Sequence, residues 1–228
     1  MQLRKSKKIL IYFSLFIVLG SINNIELNKV KLDKIKNIQI SGLDEKDNLS
    51  LLKDIKNLNL ENIFFLGRKE VYPILASHSL IEKFDVIKLY PSTLLIEIKK
   101  TDFLARINKN GKILIIGSNG KLSDKKISNL ELPFIFGKPK ITEFLKFKKV
   151  VDKSEFSFNQ IKNLYFFPSR RWDLELNGNI LIKLPIDIEV KSLNIIYELI
   201  NDKNFEYISL VDARIKNQII LNNGKPKT

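Results

Sequence analysis

The chain has 228 residues, with 39 Lys plus Arg against 25 Asp plus Glu, a formal net charge of +14, 44% hydrophobic residues and 28% charged residues. That balance excludes a disordered polar chain, and the length suits one large domain or two small ones with a buried core. The absence of Cys, with one His and one Trp, excludes a disulfide scaffold, a thiolate metal site and a Cys nucleophile, and leaves little for His-based catalysis. A charge of +14 invites a nucleic-acid reading through counterion release. Three alanines against many Ile, Lys and Asn favour a compositional origin instead.

Arg4, Lys5, Lys7 and Lys8 carry four of the net charges, and residues 9–25 behind them carry none. Those residues would make about 25 Å of helix at 1.5 Å per residue, a little short of a usual bilayer span. A buried core helix is seldom apolar on every face at a terminus. A cleaved signal peptide needs small residues before the cut, whereas Leu19-Gly20-Ser21 places a large one there. The segment therefore reads best as an uncleaved signal anchor, with a signal peptide as the second reading. The positive-inside rule then puts residues 1–8 in the cytoplasm and the bulk of the chain across the membrane.

Residues 26–34 form a polar linker. A strand is expected at Ile38 and Ile40, then Gly42, then a helix over 45–57 with Asp44 as N-cap and Asp47 in the first turn. A second helix is expected around 68–78, starting at Tyr72 or bending at Pro73. Phe84–Tyr90 and Thr93–Lys99 flank Pro91-Ser92, with Leu94, Ile96 and Ile98 alternating against Leu95, Glu97 and Lys99: a hairpin with a half-buried strand. The unit 35–102 is thus strand, helix, helix, strand, strand.

From 103 to 221 the pattern is mostly β. Asn110-Gly111 and Asn177-Gly178 each sit between strand-like runs, the dipeptide that suits tight hairpin turns. Leu132–Gly137 reads as a short strand closed by glycine. Within 138–166, Phe144, Phe147 and Val150-Val151 suggest a helix, followed by Phe156–Phe167, and a further helix is expected at 187–202 with Ile188, Leu193 (or Ile195), Ile196, Leu199 and Ile200 on its apolar face. Trp172, Leu174 and Leu176 face one way and Asp173 and Glu175 the other. Tyr207–Arg214 and Gln218–Leu221 are the last strands, and 222–228 is a polar tail. The fold class is α+β, with an antiparallel sheet and a C-terminal helix in the second unit.

These residues in this order resemble the FtsQ/DivIB family of bacterial division proteins. Asn62-Ile63-Phe64-Phe65-Leu66 is similar to the family's loop before the second helix, and Val86–Ile98, with Pro91-Ser92-Thr93-Leu94, to its hairpin. Leu104-Ala105-Arg106, Leu132-Pro133-Phe134-Ile135-Phe136-Gly137, Arg170-Arg171-Trp172-Asp173-Leu174, Leu184-Pro185 and Val211-Asp212-Ala213-Arg214 resemble segments of its second domain. Two departures are the missing Pro before Leu104 and Gly117, where members carry Asp. The resemblance implies a cytoplasmic tail, one transmembrane helix, a POTRA domain over 35–102 and an FtsQ-type β domain over 103–221. It implies a non-catalytic inner-membrane scaffold at the division septum that binds FtsB, FtsL and other divisome proteins, with no cofactor, nucleic acid or small-molecule substrate.

The family's partner contact adds a strand to the edge of the last sheet, and the candidate edge here is Ile215, Lys216, Asn217, Gln218, Ile219, Ile220 and Leu221. An unpaired edge offers backbone donors and acceptors, with alternate side chains adding specificity. The bland reading, that Ile219, Ile220 and Leu221 close the core, is favoured for single side chains and the interface for the backbone. Arg170 or Arg171 could hold a partner carboxylate, against an equal case for a solvated pair. Asp212 with Arg214 reads as a structural pair, and Trp172 as core. His78 has no neighbouring ligand, which opposes metal binding. Glu97, Asp173 and Glu175 read as solvated outward carboxylates, and no Gly-x-Ser-x-Gly, phosphate loop or His-Glu-x-x-His is present. The alternatives are a POTRA-bearing component of an outer-membrane assembly or secretion system, which would need a barrel the sequence leaves no room for, and a secreted binding module with a cleaved signal peptide.

Overall fold

The computed structural model describes residues 5–22, 34–125, 131–203 and 208–223. Arg4, most of the expected linker, Tyr207 and the end of the polar tail lie outside the described residues. Helix α1 spans Lys5–Ile22 and exposes Leu10, Ile11, Tyr12 and Phe13, four successive positions that go round its circumference. Its first turn holds Lys5, Lys7 and Lys8, so the charge-free helix runs from Ile9 to Ile22, and 23–25 of the expected anchor lie outside the described residues. Among the described residues, no helix is long and apolar enough to cross a membrane.

The first unit follows the expected order: β1 (Asn37–Ser41), α2 (Glu45–Lys56), α3 (Arg68–Ser77), β2 (Ile81–Leu89) and β3 (Thr93–Lys100). Its three strands lie in the order β1-β3-β2, with β1 parallel and β2 antiparallel to β3. Leu94, Ile96 and Ile98 turn inward onto Leu51, Ile55, Val71 and Leu75 of the two helices. Gly42 has φ +106°, and a Cβ there would stand 1.7 Å from the Ile98 carbonyl oxygen, so only glycine lets β1 turn into α2. One expectation changes: Asp44 occupies the N-cap of α2 without a capping side-chain bond, because Lys100 and Lys125 hold its carboxylate. Helix α3 fills the expected range from Arg68 and keeps Pro73 inside it, which rules out the alternative start at Tyr72.

The second unit contains β4 (Phe103–Lys109), β5 (Lys112–Gly117), β6 (Leu122–Ser123), β7 (Phe134–Phe136), α4 (Ile141–Val151), β8 (Ile161–Phe166), β9 (Trp172–Leu176), β10 (Leu181–Lys183), α5 (Val190–Asn201), β11 (Ile208–Asp212) and β12 (Ile220–Asn223). Its nine strands run in the order β12-β11-β10-β9-β8-β7-β4-β5-β6. The expected antiparallel sheet is in fact mixed: β4–β7, β7–β8 and β10–β11 pair parallel. Both α4 and α5 supply parallel crossovers, and α5 is followed by two strands, in the order the sequence suggests. One sheet face packs on these helices through Leu164, Trp172, Leu174, Ile182 and Val211 against Phe144, Phe147, Leu193 and Ile196. Trp172 stacks on Phe147 with centroids 4.8 Å apart. Ile195 is exposed, leaving Leu193 as the inward residue of the expected pair. Asn110 and Gly111 both take positive φ in the β4–β5 turn, as that dipeptide predicts. In the β9–β10 turn it is Asn179, not Asn177-Gly178, that has the positive φ.

The units meet at Thr101-Asp102, where a clasp forms from the β5–β6 connection. Ser118 Oγ donates to Glu82 Oε2 at 2.8 Å. Asn119 Nδ2 donates to the carbonyls of Ser79 and Ile81 at 2.9 and 2.8 Å. Lys121 Nζ reaches the carbonyls of Ala76 and His78, satisfying the end of α3 that has no further helical partners. Gly117 sits inside this clasp, and a Cβ there would stand 2.8 Å from Thr101 Oγ1.

Candidate partner-binding edge

Strand β12 is the last strand of the nine, with β11 on one side and no described strand on the other. Leu221 lies opposite Val211 and Ile220 opposite Asp212. The chain reaches β12 through a turn in which Asn217 has φ +62° and Gln218 N–H donates to the Ile215 carbonyl at 3.2 Å. Of the candidate segment, Ile215, Lys216 and Asn217 therefore stand in the turn, Gln218 and Ile219 lead into the strand, and Ile220 and Leu221 lie within it. Ile219 and Leu221 pack against the core, whereas Ile220 is 46% exposed. The strand thus has one face committed to the core, one apolar side chain outside, and an outer backbone rim.

Asp212 is locked as the sequence suggested. Arg214 Nε donates to both carboxylate oxygens at 2.8 and 3.0 Å, and its own N–H bonds Oδ1 at 3.1 Å. The guanidinium holds the Asp212 carboxyl below its ordinary pKa. The pair fixes the corner where β11 leaves the sheet, which sets where β12 begins.

The two candidate arginines part company. Arg170 has φ +64° and bonds Glu143, at 3.0 Å from Nε and 2.9 Å from Nη2, with a side chain 73% exposed. Arg171 lies over the Phe167 ring, 4.3 Å from its centroid, and donates from Nε to Asp173 Oδ1 at 3.1 Å. Asp173 corrects the sequence reading: it is 3% exposed rather than solvated. It does face away from the helices, but Arg171 covers it and Lys183 lies opposite it in the sheet. A carboxylate so enclosed persists only with a cation beside it.

Glu175 is likewise enclosed in polar contacts, accepting from Asn163 Nδ2 at 2.9 Å and Tyr165 Oη at 2.7 Å. Those donors, Asn163 first, lower its pKa, while burial raises that of Tyr165. Glu97 alone of the three is exposed as expected. Strand register lines up Tyr165, Asp173, Lys183, Asp212 and Ile220 in one row across the open sheet face. Alternation within each strand hints at this row, but the register that assembles it is non-local. His78 accepts from the Leu80 N–H through Nδ1 at 3.3 Å, and no His, Cys, Asp and Glu cluster suited to a metal occurs among the described residues.

A family model described as the C-terminal region of cell division protein FtsQ/DivIB matches residues 98–214, just over half of the chain. The chain is similar to a cell division protein FtsQ of Bradyrhizobium diazoefficiens, 27% identical over 164 residues, covering 70% of this chain and 48% of the relative. It is 26% identical over 198 residues to a cell division protein FtsQ of Rickettsia typhi, covering 83% of this chain and 66% of the relative. A cell division protein FtsQ of Rickettsia prowazekii is 28% identical over 160 residues, 67% of this chain and 57% of the relative. The chain thus spans between about half and two thirds of the length of these curated relatives. The matched region begins in β3, crosses the clasp and ends at the Asp212–Arg214 corner that launches β12, and on that match the chain belongs to the FtsQ/DivIB family of cell division proteins.

Proposed function

We propose that this protein is a non-catalytic, membrane-anchored scaffold of the septal division machinery whose β12 edge accepts a strand from an FtsB-like partner, with FtsL bound in the same assembly. The observation that carries this reading is the place of β12 at the end of the sheet. An edge of this kind supplies affinity through main-chain hydrogen bonds, and the outward Ile220 supplies a specificity contact. The first unit, whose strand order suits a POTRA domain, holds that edge away from the anchor.

The anchor reading rests on α1, which exposes apolar side chains around its whole circumference, and on a charge-free run that continues in the sequence to Ile25. Surfaces of that kind are stable only in an apolar medium. Lys5, Lys7 and Lys8 ahead of it favour a cytoplasmic N-terminus, and the two folded units then stand on the periplasmic side of the inner membrane. Arg171 is assigned a structural role in this account, through Asp173, and Arg170 remains the candidate for a partner carboxylate.

Co-purification from membranes tests the reading. The full chain is expected to retain FtsB and FtsL, and a chain ending at Asn217 that still unfolds cooperatively is expected to lose FtsB. Undiminished FtsB binding by that folded truncation overturns the edge assignment.

A further inference from the structure

One end of the first unit gathers three exposed aromatic rings. The loop between α2 and α3 alternates anchors and outliers: Ile63 and Leu66 are buried at 0% and 7%, while Phe64 and Phe65 are 52% and 78% exposed. Asn62 builds this loop. Its Oδ1 accepts from the Phe64 N–H at 2.8 Å, and its carbonyl accepts from the N–H groups of Phe65 and Leu66 at 3.2 and 3.0 Å. Tyr90, at the β2–β3 turn and 59% exposed, meets Phe64 with centroids 4.7 Å apart. A loop held by two backbone bonds and one side-chain bond, with two phenylalanines turned outward, is a formed surface rather than an accident of a loose segment.

The same end is where the chain arrives from α1. Lys34 bridges to Asn62, Ile35 N–H donates to the Glu61 carbonyl at 2.9 Å, and Lys36 N–H donates to the Ser92 carbonyl at 2.9 Å. Lys34, Lys36 and Lys56 rim a shallow hollow there, with Ile35, Ile38 and Leu60. Lys88 also points to this end, its Nζ donating to the Leu66 carbonyl at 2.7 Å. Exposed carboxylates near them include Glu61 and Asp85, the latter lining a hollow with Leu66 and Lys88. Strand β3 starts here at Thr93 and carries the chain about 25 Å, at roughly 3.3 Å per residue, to Lys100 at the junction with the second unit. The aromatic and basic end therefore points back along the chain toward α1, and the β domain hangs from the opposite end. Eleven residues separate Ile22 from Lys34.

We propose that Phe64, Phe65 and Tyr90, with Lys34, Lys36 and Lys56, dock this end of the first unit into the interface of an anionic bilayer, so that the unit stands on the membrane rather than swinging on a tether. The rings supply amphipathic or apolar area at headgroup depth, and the lysines pair with anionic headgroups. Charge complementarity and continuity with the apolar helix select a lipid surface over a protein. The proposal rests on the anchored reading above.

The chain has no cysteine, so a single introduced one carries a unique nitroxide label. Full-length protein is reconstituted in vesicles of phosphatidylglycerol with phosphatidylcholine, labelled in turn at Phe13→Cys, Phe65→Cys and Lys112→Cys. Power saturation is then read with oxygen and with a water-soluble nickel chelate. The label at 65 is expected to be accessible to oxygen and shielded from nickel, as at 13, while 112 shows the reverse. Replacing Lys34, Lys36 and Lys56 by Gln should lower the docked population by roughly fivefold per lysine. A label at 65 that is open to nickel while 13 reads bilayer depth overturns the docking and leaves the anchor standing. Nickel access at 13 overturns the anchor itself and the docking with it. Shielding of 65 from both reagents means a protein covers it, and equal docking in pure phosphatidylcholine means the lysines contribute nothing; either result overturns the proposal.

Discussion

Lys125 Nζ lies 2.6 Å from the carboxylate of Asp44, and the two residues belong to different units of the fold. Asp44 stands at the start of α2, Lys125 just beyond β6, and Lys100 joins them from the end of β3 at 2.9 Å. Together with the Ser118–Glu82 and Asn119 bonds, this cluster ties the two units to each other and so orients the sheet that ends in β12 relative to the first unit.

The cluster predicts an acid transition. Lys125 and Lys100 lower the Asp44 pKa from 3.8 to about 2. A depressed carboxyl pKa stabilises the fold fully above the unfolded value and loses that effect as pH falls through the folded value. Asp44→Asn should therefore lower the melting temperature at neutral pH, with the gap to the parent chain closing between about pH 4 and pH 2. Thermal unfolding across that range, at low and high salt, checks it; the gap should also shrink with salt because Asp44 is exposed.

Arg170 and Arg171, adjacent in sequence, should behave differently. Arg171→Ala leaves Asp173 enclosed without its cation and should cost about 3 kcal/mol. Arg170→Ala removes an exposed pair with Glu143 and should cost at most about 0.5 kcal/mol. Urea unfolding, followed by the emission of the single Trp172, reads both. Equal effects would contradict the separate roles assigned to them.

Gly137 ends β7 with φ +99°, and a Cβ there would stand 2.2 Å from the Phe166 carbonyl oxygen. Gly137→Ala must both hold a left-handed backbone and move β8, and should destabilise by about 3 kcal/mol or more. Gly178→Ala has open space around its Cβ position and should stay within about 1 kcal/mol. The two substitutions compared by urea unfolding separate a required glycine from a permissive one.

What the sequence made legible was local. Asn110-Gly111 carried its turn in the two residues themselves, and Leu94, Ile96 and Ile98 carried their inward face in simple alternation. Trp172 was placed in the core for the same reason. The parallel pairings of β4 with β7 and β10 with β11 join segments separated by a helix or a long connection, and no local pattern announces them. Alternation gives Asp173 its face of the sheet but not what covers it; the cover comes from Arg171 two residues away. Asp44 looked like a cap because the lysines that claim its carboxylate come from β3 and from beyond β6. At the candidate edge Ile219, Ile220 and Leu221 are all apolar, so the sequence does not show that Ile220 faces out while Ile219 and Leu221 pack on the core, and the positive φ of Asn217 puts Ile215 into a turn rather than the strand.

The central claim is that β12 receives a partner strand along its outer rim. Amide hydrogen exchange of the full chain, free and with the FtsB-like protein proposed as its partner, tests this at single-residue resolution. Partner binding is expected to protect amides within Ile220–Asn223 by at least about tenfold, as new backbone hydrogen bonds form, and to leave the Asn110-Gly111 turn unchanged. A bound partner that leaves exchange throughout β12 unaltered would contradict strand addition at this edge.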